Sequence, residues 1–279
     1  MKIAVLSGKG GAGKTLVAVN LAAVAGASAL YADGDVEEPN GRLFLKPSGV
    51  ERTPVYTLRP RFDRERCTGC RKCVEFCRFN ALVYLKDRPM LFDDVCHACG
   101  GCLMVCPSGA VSEEKREVGG VESGWHGELR VLTGVLNTGV SSGIPVIEAL
   151  QRVCSRTAGT VIVDGPPGSA CGVMACVRAA DLSLIVAEPT AFGFHNFKMV
   201  WKLVGILGKR CAVVVNKQDA VYEPFERFCR EHGVPIFARI PYSASWAGKI
   251  ARGEVISESD SSAHALFSAL LERIREETE

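Results

Sequence analysis

Residues 8–15 read GKGGAGKT, a run whose residue types and spacing can wrap phosphate. Gly8, Gly13, Lys14 and Thr15 meet the pattern G-x-x-x-x-G-K-[ST], with an apolar run before them (Ile3 to Leu6) and a helical stretch after (Leu16 to Ala25). In that setting the backbone N–H groups of Gly8, Lys9, Gly10, Gly11, Ala12 and Gly13 close on phosphate oxygens. Lys14 reaches the β and γ groups, and the Thr15 hydroxyl meets Mg²⁺. Lys9 is surplus to this pattern. Acids stand where apolar runs end: Asp33 and Asp35 in YADGDVEEPN, and Asp164 in VIVDGPPG.

The second chemistry is that of thiolates. The chain has 13 cysteines, and eight of them form two runs, Cys67-x₂-Cys70-x₂-Cys73-x₃-Cys77 and Cys96-x₂-Cys99-x₂-Cys102-x₃-Cys106-Pro107. Soft thiolates at this tight spacing suit iron–sulfur ligation. Zinc modules use four ligands per site at more open spacing, which does not account for two matched triplet-plus-one runs. Each run resembles that of bacterial ferredoxins holding [4Fe–4S] clusters, although Arg78 replaces the proline after Cys77. The resemblance implies two clusters with crossed ligands: Cys67, Cys70, Cys73 and Cys106 on one, and Cys96, Cys99, Cys102 and Cys77 on the other. Basic residues are in excess over 59–95, which fits either a solvated face or a dock for an acidic redox partner.

KGGAGKT also resembles the deviant phosphate loop of the MinD/Mrp/nitrogenase-iron-protein class of P-loop ATPases, and the double-cluster insertion resembles the subset of that class that carries one. The resemblance implies ATP and Mg²⁺ as cofactors and an ATP-dependent homodimer in which Lys9 reaches the nucleotide of the facing subunit. It makes Asp35 the acid that orients the attacking water, Asp33 a structural or metal-linked neighbour, and Asp164 the carboxylate behind Mg²⁺. Pro166-Pro167-Gly168 becomes a segment that senses the γ-phosphate, and Asn216 a contact to the base. Asn216-Lys-x-Asp219 is also the guanine-reading pattern of GTPases, so the base stays open between adenine, which the doubled-lysine loop favours, and guanine. Cys171 stands seven residues after Asp164, as one intersubunit cluster ligand of the nitrogenase iron protein does, but Ser141 and Ser142 occupy the stretch where the second would lie.

The elements needed to position these groups are legible from periodicity. Candidate strands at 2–6, 28–32, 129–133, 160–164, 182–187, 211–216 and 235–240 alternate with helices near 14–25, 143–154, 171–179, 194–207, 222–232 and 261–277. This predicts an α/β fold, a mostly parallel, doubly wound P-loop sheet. Residues 59–118 break the rhythm and are expected as an inserted ferredoxin-like α+β domain between two parts of the ATPase domain, 1–58 and 119–279. Segments 46–56 and 119–127 read as connections, the second glycine-rich enough to allow reorientation. With 279 residues, 47% of them hydrophobic, the chain can build a core, and its net charge of +2 argues neither for nor against a nucleic-acid surface. No nucleic-acid partner is expected, and no membrane partner, because the amphipathic stretch 261–279 ends Glu-Glu-Thr-Glu and lacks a basic polar face. No apolar run reaches the ~18 residues of a span, and the phosphate loop leaves no room for a signal peptide, so a cytoplasmic protein is expected. Cys154, Cys176, Cys211 and Cys229 read as core residues, and His97 and His195 as structural.

Three functions follow. The first is an ATPase that couples nucleotide-dependent dimerisation to electron transfer or to iron–sulfur or metallocofactor assembly, with a redox or assembly protein as partner. The second is a positioning ATPase of the ParA/MinD type whose clusters are structural. The third, a cluster scaffold like Mrp, is weakened because such scaffolds use a C-terminal cysteine pair and the last cysteine here is Cys229.

Overall fold

The computed structural model describes residues 1–278. β1 (Lys2–Leu6) runs through the phosphate loop into α1 (Lys14–Ala25), followed by β2 (Ala29–Asp33), α2 (Gly41–Leu45) and the long β3 (Ser48–Phe62). The cysteine region holds α3 (Lys72–Phe76), a hairpin of β4 (Leu82–Leu85) and β5 (Arg88–Leu91), and α4 (Gly101–Met104). The chain returns along β6 (Val111–His126) and β7 (Leu129–Leu136). Strands and helices then alternate: α5 (Ile144–Arg156), β8 (Thr160–Asp164), α6 (Cys171–Ala179), β9 (Leu182–Ala187), α7 (Ala191–Ile206), β10 (Cys211–Gln218), α8 (Glu223–Glu231) and β11 (Ile236–Pro241). The chain closes with α9 (Ala244–Ala251), α10 (Ile256–Ser259) and α11 (Ser261–Thr278).

Nine strands form one sheet in the order β11-β10-β9-β1-β8-β2-β7-β6-β3, parallel from β11 to β7. A parallel strand covered on both faces must be apolar on both, and β1 is: Ala4 and Leu6 join one core while Ile3 and Val5 join the other. The first core packs against α5, α6, α7 and α8 through Leu150, Val173, Phe197 and Phe225. The second packs against α1, α9 and α11 through Leu21, Trp246 and Phe267. Cys154, Cys176 and Cys229 are buried in the first core, whereas Cys211 is half-buried. Among the described residues, no helix is long and apolar enough to cross a membrane.

The segments that read as connections are strands instead. β3 and β6 pair antiparallel from Ser48↔Trp125 out to Phe62↔Val111, and β6 continues the main sheet by pairing antiparallel with β7. Gly119, Gly120 and Gly124 therefore lie inside a strand rather than in a loose return. Their smallness serves packing: a Cβ on Gly119 would stand 2.3 Å from the Val135 carbonyl oxygen and 2.7 Å from Val146 Cγ2 of α5. Gly119→Ala is expected to destabilise the protein by ~1–3 kcal/mol, the usual cost of overpacking. Chemical denaturation checks this, and an unchanged midpoint would mean that the ribbon yields easily. Pattern reading missed β3 because an edge strand carrying Pro54 and Pro60, exposed over most of its length, has no apolar alternation to detect.

Candidate nucleotide site and cysteine cavities

In an open parallel sheet, ligands collect where the strands end at their carboxyl side. That edge gathers the residues in question: the loop after β1, Asp33 and Asp35 at β2, Asp164 at β8, Glu188 after β9, Asn216 on β10 and Tyr242 after β11. A cleft of about 570 Å³ opens there, lined by Gly10, Gly11, Gly13, Lys14, Thr15 and Asp35 at one end. Asn216, Pro241, Tyr242 and Trp246 line the other. The first end has the donors for phosphate and the second the flat apolar walls for a base.

Gly13 caps α1 in the left-handed region at φ 95°, and a Cβ there would fall 2.0 Å from Asn216 Nδ2. Only glycine suits that place. Asn216 is buried and its amide donates to the Ala12 carbonyl at 2.8 Å, so it supports the loop from below as well as lining the cleft. Asp219 is not among the lining residues.

Lys14 is buried, with Nζ 2.7 Å from Asp164 Oδ1 and 3.5 Å from Asp35 Oδ2. Burial alone would depress its pKa, but Asp164, followed by Asp35 and Asp33, outweighs it and holds the ammonium above the ordinary lysine value. Asp33 is fully buried, with Oδ1 accepting from the Asp35 N–H (3.2 Å) and Oδ2 from the Gly41 N–H (2.9 Å). Burial, then the Asp164 carboxylate, pushes it up to about 8, opposed by the two N–H groups and Lys14. Both its oxygens serve the turn that carries Asp35. Burial also raises Asp35, opposed by Lys14. Thr15, Asp35 and Asp164 are the side chains that could hold Mg²⁺, the acids by carboxylate oxygen and Thr15 by its hydroxyl, whereas Asp33, with both oxygens bonded to backbone N–H groups, supports them from behind.

Lys9 is not among the residues lining the cleft. Its ammonium is ion-paired with Glu188 of the same chain and lies 5.2 Å from the Phe192 ring centroid. Glu188 also accepts from Lys217 Nζ at 2.7 Å, and Lys217 donates to the Gly11 carbonyl at 2.9 Å. Burial would raise Glu188, yet Lys217 and Lys9 together hold it below the ordinary carboxylate range. Sequence reasoning missed Glu188 and Lys217. The available signal was positional, since Glu188 follows an apolar strand just as Asp33 and Asp164 end theirs. It also missed Tyr31, fully buried in β2, whose hydroxyl donates to Asp164 Oδ2 at 3.1 Å and fixes that carboxylate from behind.

At the far end of the ribbon the cysteines surround two cavities. One is lined by Cys67, Cys70, Cys73 and Cys106, the other by Cys96, Cys99, Cys102 and Cys77. The helical turns of α3 and α4 swing the fourth cysteine of each run across to the other triplet. Among the described residues, no three His, Cys, Asp or Glu converge on a single-ion point. Four thiols set around a cavity are the donor set and spread that a multi-iron cluster requires. Burial raises the Cys73 and Cys102 thiols, Cys102 to about 11, so iron must displace their protons on binding. Cys171 is exposed at the start of α6, and His97 stacks on Phe79 with ring centroids 3.9 Å apart.

Backbone hydrogen bonds lead from the Asp35 turn to the ribbon that carries the cysteines. The Leu136 N–H at the end of β7 donates to the carbonyl of Val36, next to Asp35 (2.9 Å), and the Asn137 N–H donates to the Val118 carbonyl of β6 (3.0 Å). The loop that follows reaches Asp94, whose carboxylate lies 4.0 Å from where a Cβ on Gly139 would sit. Asp94 is two residues from Cys96. Arg59 and Arg116 of the ribbon pair with Asp93 and Asp94 and hold that segment down.

The profile of the 4Fe-4S dicluster domain matches residues 66–111. The structure of the cell division ATPase MinD from Pyrococcus furiosus superposes with a TM-score of 0.61 at 18% identity, covering 99% of this chain and 98% of its own. This chain is a MinD-type P-loop fold carrying a 4Fe-4S dicluster domain. The MinD of Pyrococcus horikoshii, solved with Mg-ADP, gives the same TM-score at 16% identity, covering 98% of this chain and 95% of its own. In sequence, the uncharacterized protein MJ0578 of Methanocaldococcus jannaschii is 28% identical over 281 residues, or 99% of this chain and 97% of that one. The MinD-type fold accounts for the edge at which the cleft opens, and the dicluster match for the two cysteine-lined cavities.

Proposed function

We propose that the protein binds and hydrolyses ATP, and that closing an ATP-dependent homodimer is coupled to electron transfer or metallocofactor assembly through two [4Fe–4S] clusters. The observation that carries this reading is the pair of backbone hydrogen bonds, Leu136 to Val36 and Asn137 to Val118, that ties the segment carrying Asp35 to the ribbon that carries the cysteines. Held clusters would supply one-electron chemistry. The chain's own residues do the rest. The glycine loop and the amino end of α1 bind phosphate, Lys14 neutralises it, and Thr15, with the Asp164 carboxylate behind it, would hold Mg²⁺. Asp35 orients water, and Lys9, released from Glu188, meets the partner's phosphates. The test is a redox titration with ADP and with a non-hydrolysable ATP analogue. Potentials that shift with nucleotide support coupling; identical potentials and identical chelator access to iron would leave the clusters as structural staples.

The likeness to MinD favours a second reading, a positioning ATPase, and redox-silent clusters would favour it over the first. For the base, adenine is supported because Asp219 stands outside the cleft. Calorimetry is expected to show ATP bound at least ~10-fold more tightly than GTP, the scale of one lost directional hydrogen-bond pair. Asp219→Asn should leave that preference unchanged; a preference for GTP abolished by Asp219→Asn would overturn the assignment.

A further inference from the structure

The two cysteine cavities have different surroundings. Between residues 59 and 88 there are nine Arg or Lys and four Asp or Glu. Of the four arginines of the ribbon, Arg59 and Arg116 are consumed in ion pairs with Asp93, Asp94 and Glu114, and Arg52 in one with Glu117, while Arg61 is exposed and makes none among the described residues. The cations beside the first cavity are not. Arg71 lines it, Arg66 adjoins Cys67, Lys72 adjoins Cys73, and Arg88 adjoins the lining residue Pro89. All four are exposed, and none makes an ion pair among the described residues. Arg71 is held in place by lying over the Tyr84 ring, 4.6 Å from its centroid. Cys70, a lining residue, is itself exposed at this mouth. Around the second cavity one exposed cation, Arg78, lines the wall together with exposed Glu113, and the other exposed neighbours are apolar: Phe76, Phe79, Phe92, Leu103 and Met104.

Unpaired cations held around one mouth cost self-repulsion, and they are useful when an anionic surface arrives. We propose that the mouth of the Cys67–Cys70–Cys73–Cys106 cavity is the docking surface for an acidic protein of the small one-electron-carrier class. The patch is compact and concave; of its two aromatic rings Tyr84 is covered by Arg71 and Phe62 is half-buried, so it lacks the extended stripe of free stacking faces that single-stranded nucleic acid uses. The inference rests on the two cavities holding clusters and not on the reading of the ATP site.

The test uses the full-length, cluster-loaded protein, with iron content measured first so that an empty module is not mistaken for absent docking. The probe is a strongly acidic two-cluster ferredoxin, with basic cytochrome c as the opposite-charge control. Binding followed by calorimetry is expected to weaken at least ~10-fold between low and physiological-to-high salt, as screening of a charged interface requires. The triple variant Arg66→Glu/Arg71→Glu/Lys72→Glu should lose at least tenfold at low salt while keeping its iron. If that variant fails to load, the single variants Arg66→Gln and Lys72→Gln, whose side chains are not lining groups, should each weaken binding measurably. Equal binding by parent and variants, tighter binding of cytochrome c, or preference for a single-stranded oligonucleotide over the acidic protein would each overturn the proposal.

Discussion

Lys9→Ala is expected to bind ATP as the parent does, to fail to dimerise on it, and to lose hydrolysis by roughly 1000-fold or more, the lower end of the range for a cation supplied in trans. The two lysines of the loop occupy different places. Lys14 is buried against Asp164 and Asp35 at the floor of the cleft. Lys9 is outside the cleft lining and paired with Glu188, so its removal leaves the chain's own phosphate contacts intact. Glu188 is held ionised by Lys217 and Lys9, so the pair persists across neutral pH. Glu188→Gln should weaken it and bring dimerisation to a lower ATP concentration, with Lys217 still on the Gly11 carbonyl. Sedimentation velocity with a non-hydrolysable analogue measures both effects. A Lys9→Ala protein that dimerises like the parent removes the trans role, and a Glu188→Gln protein that dimerises less readily makes Glu188 a support for the closed state rather than a restraint.

Cys77→Ala and Cys106→Ala are each expected to remove about half the iron, and from the opposite run in each case. The cavities group Cys77 with Cys96, Cys99 and Cys102, and Cys106 with Cys67, Cys70 and Cys73. The clean comparison uses a background in which Cys96, Cys99 and Cys102 are serine, leaving one complete site. There Cys106→Ala should abolish the remaining iron and its reduced-state spectrum, while Cys77→Ala should leave both unchanged. The reverse outcome would mean that each run closes its own site, and the lining of the cavities would then not describe the loaded protein.

Much of this protein is legible in one dimension because its signals are local. The phosphate loop is a run of eight residues flanked by a strand and a helix, and each cysteine run fixes its ligand type within eleven positions. The parallel strands announce themselves because burial on both faces forces unbroken apolar runs such as KIAVL and TVIVD. What the sequence left undecided depends on distant residues meeting. Nothing near Lys9 in the chain identifies Glu188 as its partner, since 179 residues separate them and only the neighbouring of β1 and β9 brings them together. The same holds for Tyr31 behind Asp164. The β3–β6 ribbon is hidden for a different reason: an exposed edge strand with two prolines, paired to a strand rich in glycine, shows no periodicity, and its pairing is fixed only by the register of the whole sheet. Composition made those glycines a flexible return, whereas tertiary packing makes them the places where α5 and the strand backbone come close. The sequence by itself therefore determined which chemistries are present. The tertiary structure decided how they face one another, because relative placement is set by strand order and close packing rather than by any local run of residues.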